Sequence, residues 1–239
     1  MKIDGLTRVG DVVRENFRAA QVFEKNKIDF CCGGGISIED ACAKWQVDKN
    51  QLLADLEMVV GTNDPESKYI NTMSLDGLCD YIEKRHHTYV VENIPFLKQK
   101  LEKLENAHGA NHSELAEIKS LFYGAAKNLS DHLQKEEQIL FPYIRQMVKA
   151  KSQGEELDGI NRLESLLGEL DEEHQTEGDR FAKISELTNG YVCPPDGCNT
   201  YRVTYQTMEE FEKDLHRHIH LENNILFVKA LALEKELIK

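Results

Sequence analysis

Helix breakers are scarce: the 239-residue chain has only five prolines. The long stretches between them are rich in Leu, Glu, Lys and Ala, which favours helices over strands. Long apolar runs are also missing. None approaches the about 18 residues that a bilayer span needs, and residues 1–11 lack the apolar core of a signal peptide. The expected location is therefore the cytoplasm, where the six cysteines are thiols rather than a disulfide framework. Positive charge is in short supply, with 29 Lys and Arg against 42 Asp and Glu and a formal net charge of −13. Such a surface repels phosphate backbones and anionic lipid, so neither nucleic acid nor membrane is an expected partner, whereas a cation is compatible. What is present is apolar content, 41% of residues, enough for one large domain or a medium one with a small companion.

Periodicity divides the chain. Val9, Val12, Val13, Phe17, Ala20 and Phe23 recur at helical spacing, and Asp29-Phe-Cys-Cys-Gly-Gly-Gly35 interrupts them. Further helices are predicted to start at Ser37, with Asp40 completing a capping-box-like pair, and at Asp48, with Gln51 three positions on. Residues 1–60 thus read as a small helical domain, and the polar, breaker-rich segment at 61–73 as a linker. Four amphipathic stretches follow, near 74–106, 113–149, 157–187 and 207–237. Short breaks between them predict an antiparallel four-helix bundle over 74–239. The longest break, 189–200, carries Cys193-Pro-Pro-Asp-Gly-Cys198.

The strongest signal is an internal repeat. His132-Leu-Gln-Lys-Glu136-Glu-Gln-Ile-Leu-Phe141 and His218-Ile-His-Leu-Glu222-Asn-Asn-Ile-Leu-Phe227 both read H-x3-E-x2-I-L-F, 86 residues apart. His87 and His174 repeat at an interval of 87. Each half therefore has one histidine on its first helix and an H-x3-E on its second, as in a duplicated helical hairpin. Residues i and i+4 share a helix face, and here that face is the apolar one. The stripe Ile118, Phe122, Ala125, Leu129 reaches His132 and Glu136 and is expected to resume at Ile139 and Tyr143. Met208, Phe211 and Leu215 lead to His218 and Glu222, then Ile225. His174 falls between Ile160, Leu163, Leu167, Leu170 and Phe181, Ile184. Val90, Ile94, Leu97, Leu101 and Leu104 extend backward to His87. Four imidazoles and two carboxylates buried together need a common counter-charge, and a metal pair supplies it.

If both glutamates bridge and each ion takes two histidines, a bridging oxo or hydroxo group leaves about one open position per ion. Imidazole and carboxylate donors suit iron, zinc or manganese, and zinc prefers tetrahedral closure; the bridged arrangement favours iron. Ferritin-type sites use E-x-x-H and more carboxylate. The histidine-rich set here suits reversible ligand binding or electron transfer.

These motifs resemble the hemerythrin fold. Together with Asp29-Phe-Cys-Cys-Gly-Gly they resemble, more closely and over nearly the whole chain, the di-iron iron–sulfur cluster repair proteins of ScdA/YtfE type. The resemblance implies an all-α protein: a hemerythrin-like bundle preceded by an ScdA-type N-terminal domain. It implies repair of clusters damaged by oxidative or nitrosative stress, through iron delivery, nitric-oxide handling or both, with iron–sulfur client proteins. It further implies a homodimer and two oxo- or hydroxo-bridged irons per chain on His87, His132, Glu136, His174, His218 and Glu222. A hemerythrin-like oxygen or redox sensor is the alternative.

Cys31 and Cys32 are the expected reactive thiols. They precede a helix N-terminus, where free N–H groups and the helix dipole favour thiolate; redox chemistry or a transient iron or nitric-oxide site follows. Cys42 and Cys79 are expected in the core. Cys193 and Cys198 form a labile disulfide or an inert loop. His86 stands beside a ligand position, while His216, His220, His108 and His112 are expected at the surface. Glu137 and Glu173 adjoin ligands in sequence and either support them or are solvated.

Overall fold

The structure, a computed structural model, describes residues 2–156 and 163–238. Among the described residues regular structure is helical, apart from one isolated antiparallel bridge between Arg8 and Ser37. The all-α expectation holds. Residues 157–162, which include Ile160 and the expected start of the third long helix, lie outside the described residues.

The chain forms two compact units, one of Met1–Cys79, Ile144–Glu164 and Ile219–Lys239, the other of Asp80–Tyr143 and Ser165–His218. The first unit contains five short helices, α1 (Val9–Glu15), α2 (Ala19–Lys25), α3 (Ile38–Trp45), α4 (Lys49–Val60) and α5 (Pro65–Thr72). Local caps start three of them. Ser37 Oγ accepts the Asp40 N–H, Asp48 Oδ1 accepts that of Gln51, and Asp64 accepts that of Glu66 with Pro65 in the first helical position. The first two caps agree with the predicted starts. The third corrects the linker reading: Asp64-Pro65 opens a helix. Asp64 also accepts the Phe17 N–H at 3.1 Å and the Ser67 hydroxyl at 2.7 Å. The Asn16 amide donates to the Val59 and Thr62 carbonyls, both at 3.1 Å. These bonds tie the segment to the turn between α1 and α2, and Val9, Val12, Val13, Phe23, Leu52 and Leu56 fill the core beneath.

Four long rods complete the chain: α6 (Leu75–Ile82), π1 (Glu83–His87) and α7 (Thr88–His108); α8 (Glu114–Lys135), π2 (Glu136–Leu140) and α9 (Phe141–Gln153); α10 (Leu163–Leu187); and α11 (Asn199–Leu221), π3 (Glu222–Leu226) and α12 (Phe227–Leu237). In the second unit the short loop after His108 turns α7 back onto α8, as antiparallel neighbours. Three helices meet there at Phe122, Phe181 and Phe211, whose ring centroids are 5.6–6.4 Å apart; removing one such ring costs about 3–5 kcal/mol.

Two stretches depart from the sequence reading. α11 begins at Asn199, not Thr207. Tyr201, Val203, Thr204 and Tyr205 are weak helix formers, but Tyr201, Thr204, Tyr205 and Met208 fall on one buried face, and packing overrides propensity. In the second rod the stripe does not resume at Ile139, which is 55% exposed, and Tyr143 is only half-buried; Leu140, Phe141, Ile144 and Met147 are buried instead. π2 adds a residue to the turn and advances the apolar face by one position.

Candidate metal centre

Glu136 is the hub. It opens π2, its side chain is 0% exposed, and neither carboxylate oxygen has a hydrogen bond. Three imidazoles converge on its Oε2: His87 Nε2 at 3.3 Å, His132 Nε2 at 3.5 Å and His218 Nε2 at 4.0 Å. His174 Nε2 lies 3.0 Å from His132 Nε2. Glu222, one turn past His218 on the same rod, is also fully buried. The six residues fall into two sets, His87, Glu136, His218, Glu222 and His132, Glu136, His174, Glu222. Within each set one donor atom per residue lies within 4.8 Å of the others. Both carboxylates belong to both sets.

This donor set fits bound metal. A buried anion without a hydrogen bond is costly, and a cation relieves that cost. His132 Nε2 and His174 Nε2, 3.0 Å apart, are close enough that one ion could be held by both.

The surrounding carboxylates set the imidazole tautomers. His87 Nδ1 donates to Glu137 and His132 Nδ1 to Glu173, each at 2.8 Å. With the proton on Nδ1, the Nε2 lone pair faces the cluster. The Glu173 carboxyl is pulled down to about 2, first by the His132 hydrogen bond and then, against partial burial, by the Lys135 ammonium that also contacts it. Of the two readings open for Glu137 and Glu173, the geometry favours support of the ligands. His86, though buried, belongs to neither set. Its Nδ1 meets Asp214 at 3.1 Å, and its ring stacks on His218 with centroids 5.6 Å apart. Sequence reasoning missed Asp214; its position four residues before His218 was the available signal. Glu177, also missed, is buried one turn beyond His174; Arg180 pairs with it at 3.0 Å, and the Asn128 amide donates to it at 2.8 Å.

The vicinal cysteines sit in the first unit on a loop organised by Asp29. Its carboxylate accepts the N–H groups of Cys31, Cys32 and Gly33 at 2.8–3.0 Å. Cys31 Sγ is 3.2 Å from the same carboxylate and 3.8 Å from Cys32 Sγ. The thiolate expectation fails for Cys31. Its pKa is raised, first by the Cys32 hydrogen bond, then by burial and the Asp29 charge. The N–H groups that would have stabilised a thiolate are spent on Asp29. Cys42 and Cys79 are buried, as expected.

Asn224, two residues after Glu222, clasps this loop. Its Nδ2 donates to the Cys31 carbonyl at 3.0 Å and reaches His220 Nδ1 at 3.2 Å. Gly34 is required there: a Cβ would lie 2.5 Å from the Phe30 carbonyl and 2.6 Å from Asn224 Oδ1. His220 is therefore not a surface residue but is buried, with Phe17 and Phe30 each 6.0 Å from its ring. His216 is half-buried. His108 and His112 are half-buried too, and both engage the 193–198 loop: His108 Nε2 meets Cys198 Sγ at 3.3 Å, and His112 Nε2 meets Asp196 at 3.1 Å. All six cysteines are free thiols.

Known proteins place this arrangement. The profile of the hemerythrin HHE cation-binding domain matches residues 80–230, and that of ScdA_N, a domain of unknown function, matches residues 6–60. The chain is 31% identical over 223 residues to the iron-sulfur cluster repair protein ScdA of Staphylococcus epidermidis, covering 93% of this chain and 96% of the relative. It is 32% identical over 226 residues to the iron-sulfur cluster repair protein YtfE of Citrobacter koseri, covering 95% and 97%. Against the YtfE of Yersinia pestis it is 33% identical over 218 residues, covering 91% and 93%.

Proposed function

Since the chain belongs to the iron–sulfur cluster repair family of ScdA and YtfE, we propose that it restores clusters damaged by oxidative or nitrosative stress and that its six-residue cluster holds two irons. In this reading Glu136 and Glu222, which belong to both donor sets, would be shared by the two ions, with His87 and His218 holding one and His132 and His174 the other. When bound, an oxo- or hydroxo-bridged iron pair supplies Lewis acidity and one-electron chemistry. The protein's own groups do the rest. Glu137 and Glu173 keep the His87 and His132 protons on Nδ1, leaving the Nε2 lone pairs for metal, and the surrounding side chains keep the site dry. Cys31 retains its proton, while Cys32, half-exposed, is the thiol that reagents reach. A cytoplasmic homodimer, nitric oxide or dioxygen as the small ligand, and damaged iron–sulfur proteins as clients complete the proposal.

The observation that carries it is Glu136, a buried carboxylate without a hydrogen bond and with three Nε2 atoms directed at one of its oxygens. The test is metal analysis with visible spectroscopy. About two irons per chain and an oxo-bridge charge-transfer band are expected, and Glu136→Leu or Glu222→Leu should lose both. Retention of two irons by either variant overturns the ligand assignment. Restored activity of a nitric-oxide-damaged client enzyme, dependent on iron loading, tests the repair function. Reversible dioxygen binding without such restoration would favour the sensor reading.

A further inference from the structure

The loop between α10 and α11 gathers thiols and imidazoles apart from the metal cluster. Gly197 N–H donates to the Pro194 carbonyl at 2.9 Å, closing a turn over 194–197. Cys193 and Cys198 are the residues flanking that turn. A Cβ at Gly197 would lie 2.5 Å from Cys193 Sγ, so the Cys193 sulfur folds under the turn against Cys198's own neighbour in the chain. That contact places the Cys193 sulfur beside the residue that precedes Cys198, with the two cysteines at the two ends of one tight turn.

Cys198 is exposed and immediately precedes α11. Its sulfur meets His108 Nε2 at 3.3 Å. Tyr201 packs edge-on against both imidazoles, with centroids 5.4 Å from His108 and 5.5 Å from His112. His112 is held by Glu114 at 3.0 Å and Asp196 at 3.1 Å, fixing the loop to the start of α8. The Cys198 thiol is lowered to about 7, first by the Tyr201 N–H, then by His108 and the Thr200 N–H. A lowered thiol pKa favours the nucleophilic thiolate. No three donors of this cluster come within 4.8 Å of one another among the described residues, and both ring nitrogens of His112 are already engaged, so the geometry favours thiol chemistry over metal binding.

We propose that this loop is a second reactive centre, a dithiol in which His108-paired Cys198 attacks small soluble disulfides and Cys193 resolves the adduct. The Cys198 thiolate attacks one sulfur of R–S–S–R; that bond breaks and R–S⁻ leaves, giving a mixed disulfide on Cys198. Cys193 then loses its proton to solvent and attacks Cys198 Sγ, expelling the second R–S⁻. The two protein thiols surrender two electrons, and the small disulfide takes them up, with two protons, as two R–SH. Gly197 matters because any side chain there would push Cys193 out of line.

The test uses the full-length protein with oxidised glutathione and peptide mass mapping. Wild type should form a Cys193–Cys198 disulfide and keep no adduct. Cys193→Ser should retain glutathione on Cys198, and Cys198→Ser should carry none on Cys193. In pulsed iodoacetamide labelling Cys198 should react with a midpoint near pH 7, about tenfold faster than Cys193 at that pH, and His108→Gln should slow it about fivefold. Unchanged iron content and visible spectrum in the two serine variants will show that the fold and metal cluster are intact. Equal labelling of the two cysteines, absence of an adduct on Cys193→Ser, or stoichiometric zinc lost on Cys198→Ser would each overturn the proposal.

Discussion

Replacing Glu136 with leucine removes a buried charge while keeping most of the side chain's volume, and its effect should change sign with metal. The carboxylate has 0% exposure, and neither oxygen has a hydrogen bond from the protein. A buried carboxylate with no compensating cation carries an unrelieved desolvation cost, and a hydrophobe of similar size removes it; buried ionic groups replaced in this way have gained about 1–4 kcal/mol when no charge was left behind. Taking about 2 kcal/mol, and about 2–4 °C per kcal/mol for a chain of this length, stripped Glu136→Leu should melt about 4–8 °C above stripped wild type. With iron the order reverses. Wild type gains RT ln(1 + [L]/Kd), about 4 kcal/mol at a thousandfold excess over Kd, and the variant gains little. Scanning calorimetry of chelator-treated and iron-reconstituted samples reads both arms. A stripped variant that melts several degrees below stripped wild type would refute the reasoning. It would mean that protonated imidazoles already satisfy Glu136 and that the cluster is a structural hydrogen-bonded core needing no ion.

Glu137→Gln and Glu173→Gln should each weaken iron binding about 10–100-fold in chelator competition, because an amide no longer fixes the His87 and His132 tautomers; unchanged affinity would assign those glutamates to solvent. Asn224→Ala should cost about 1–3 kcal/mol in urea unfolding by stranding the Cys31 carbonyl and should speed alkylation of Cys31, so unaltered labelling would remove its clasp role. The Asp64 carboxyl is held below its ordinary value by hydrogen bonds from Ser67, Phe17 and Glu66, which outweigh the opposing effect of burial. Its stabilising contribution is therefore complete above the unfolded-state pKa of about 4 and is lost as pH falls through the lower folded value. Asp64→Asn should destabilise by about 0.5–2 kcal/mol at neutral pH, and the gap should close in acid; a constant gap from pH 7 to 2 would exclude the charge as its source.

Side chains that repeat along one helix face were legible; contacts between distant segments were not. His132–Glu136 and His218–Glu222 could be read because i,i+4 spacing and duplication are local facts, and the structure brings them together with His87 and His174. The stripe in α10 held at Leu163, Leu167, Leu170, Phe181 and Ile184 because nothing disturbs its register. His220 was misplaced because its burial depends on Phe17 and Phe30, about 200 residues away. The Cys31 thiol was misjudged because local N–H groups suggested a thiolate, while Asp29 had already taken them. Asn224 carried no signal at all: an asparagine on a helix reads as surface until the glycine loop it enters is seen.

The π turn in the second rod explains why the apolar stripe there does not resume at Ile139. His87 closes π1, Glu136 opens π2 and Glu222 opens π3. α10, which contributes His174 alone, runs without such a turn from Leu163 to Leu187. The widened turns therefore accompany the two buried carboxylates and the His86–His87 pair; α10 packs without one. A regular helix leaving Glu136 would carry Ile139 inward beside Leu140; with the extra residue Leu140 stays buried, Phe141 comes in and Ile139 is left exposed. The repeated I-L-F that follows each H-x3-E can now be understood. Three consecutive apolar residues are superfluous on an amphipathic helix of fixed register, but they keep the core filled where the register advances by one. The second rod uses Leu140 and Phe141 and leaves Ile139 exposed, whereas the fourth buries Ile225, Leu226 and Phe227 together. An apolar triplet one turn after a buried His–Glu pair is thus a sequence mark of a π turn, because the helix must depart from α geometry to aim the carboxylate and still return to its core.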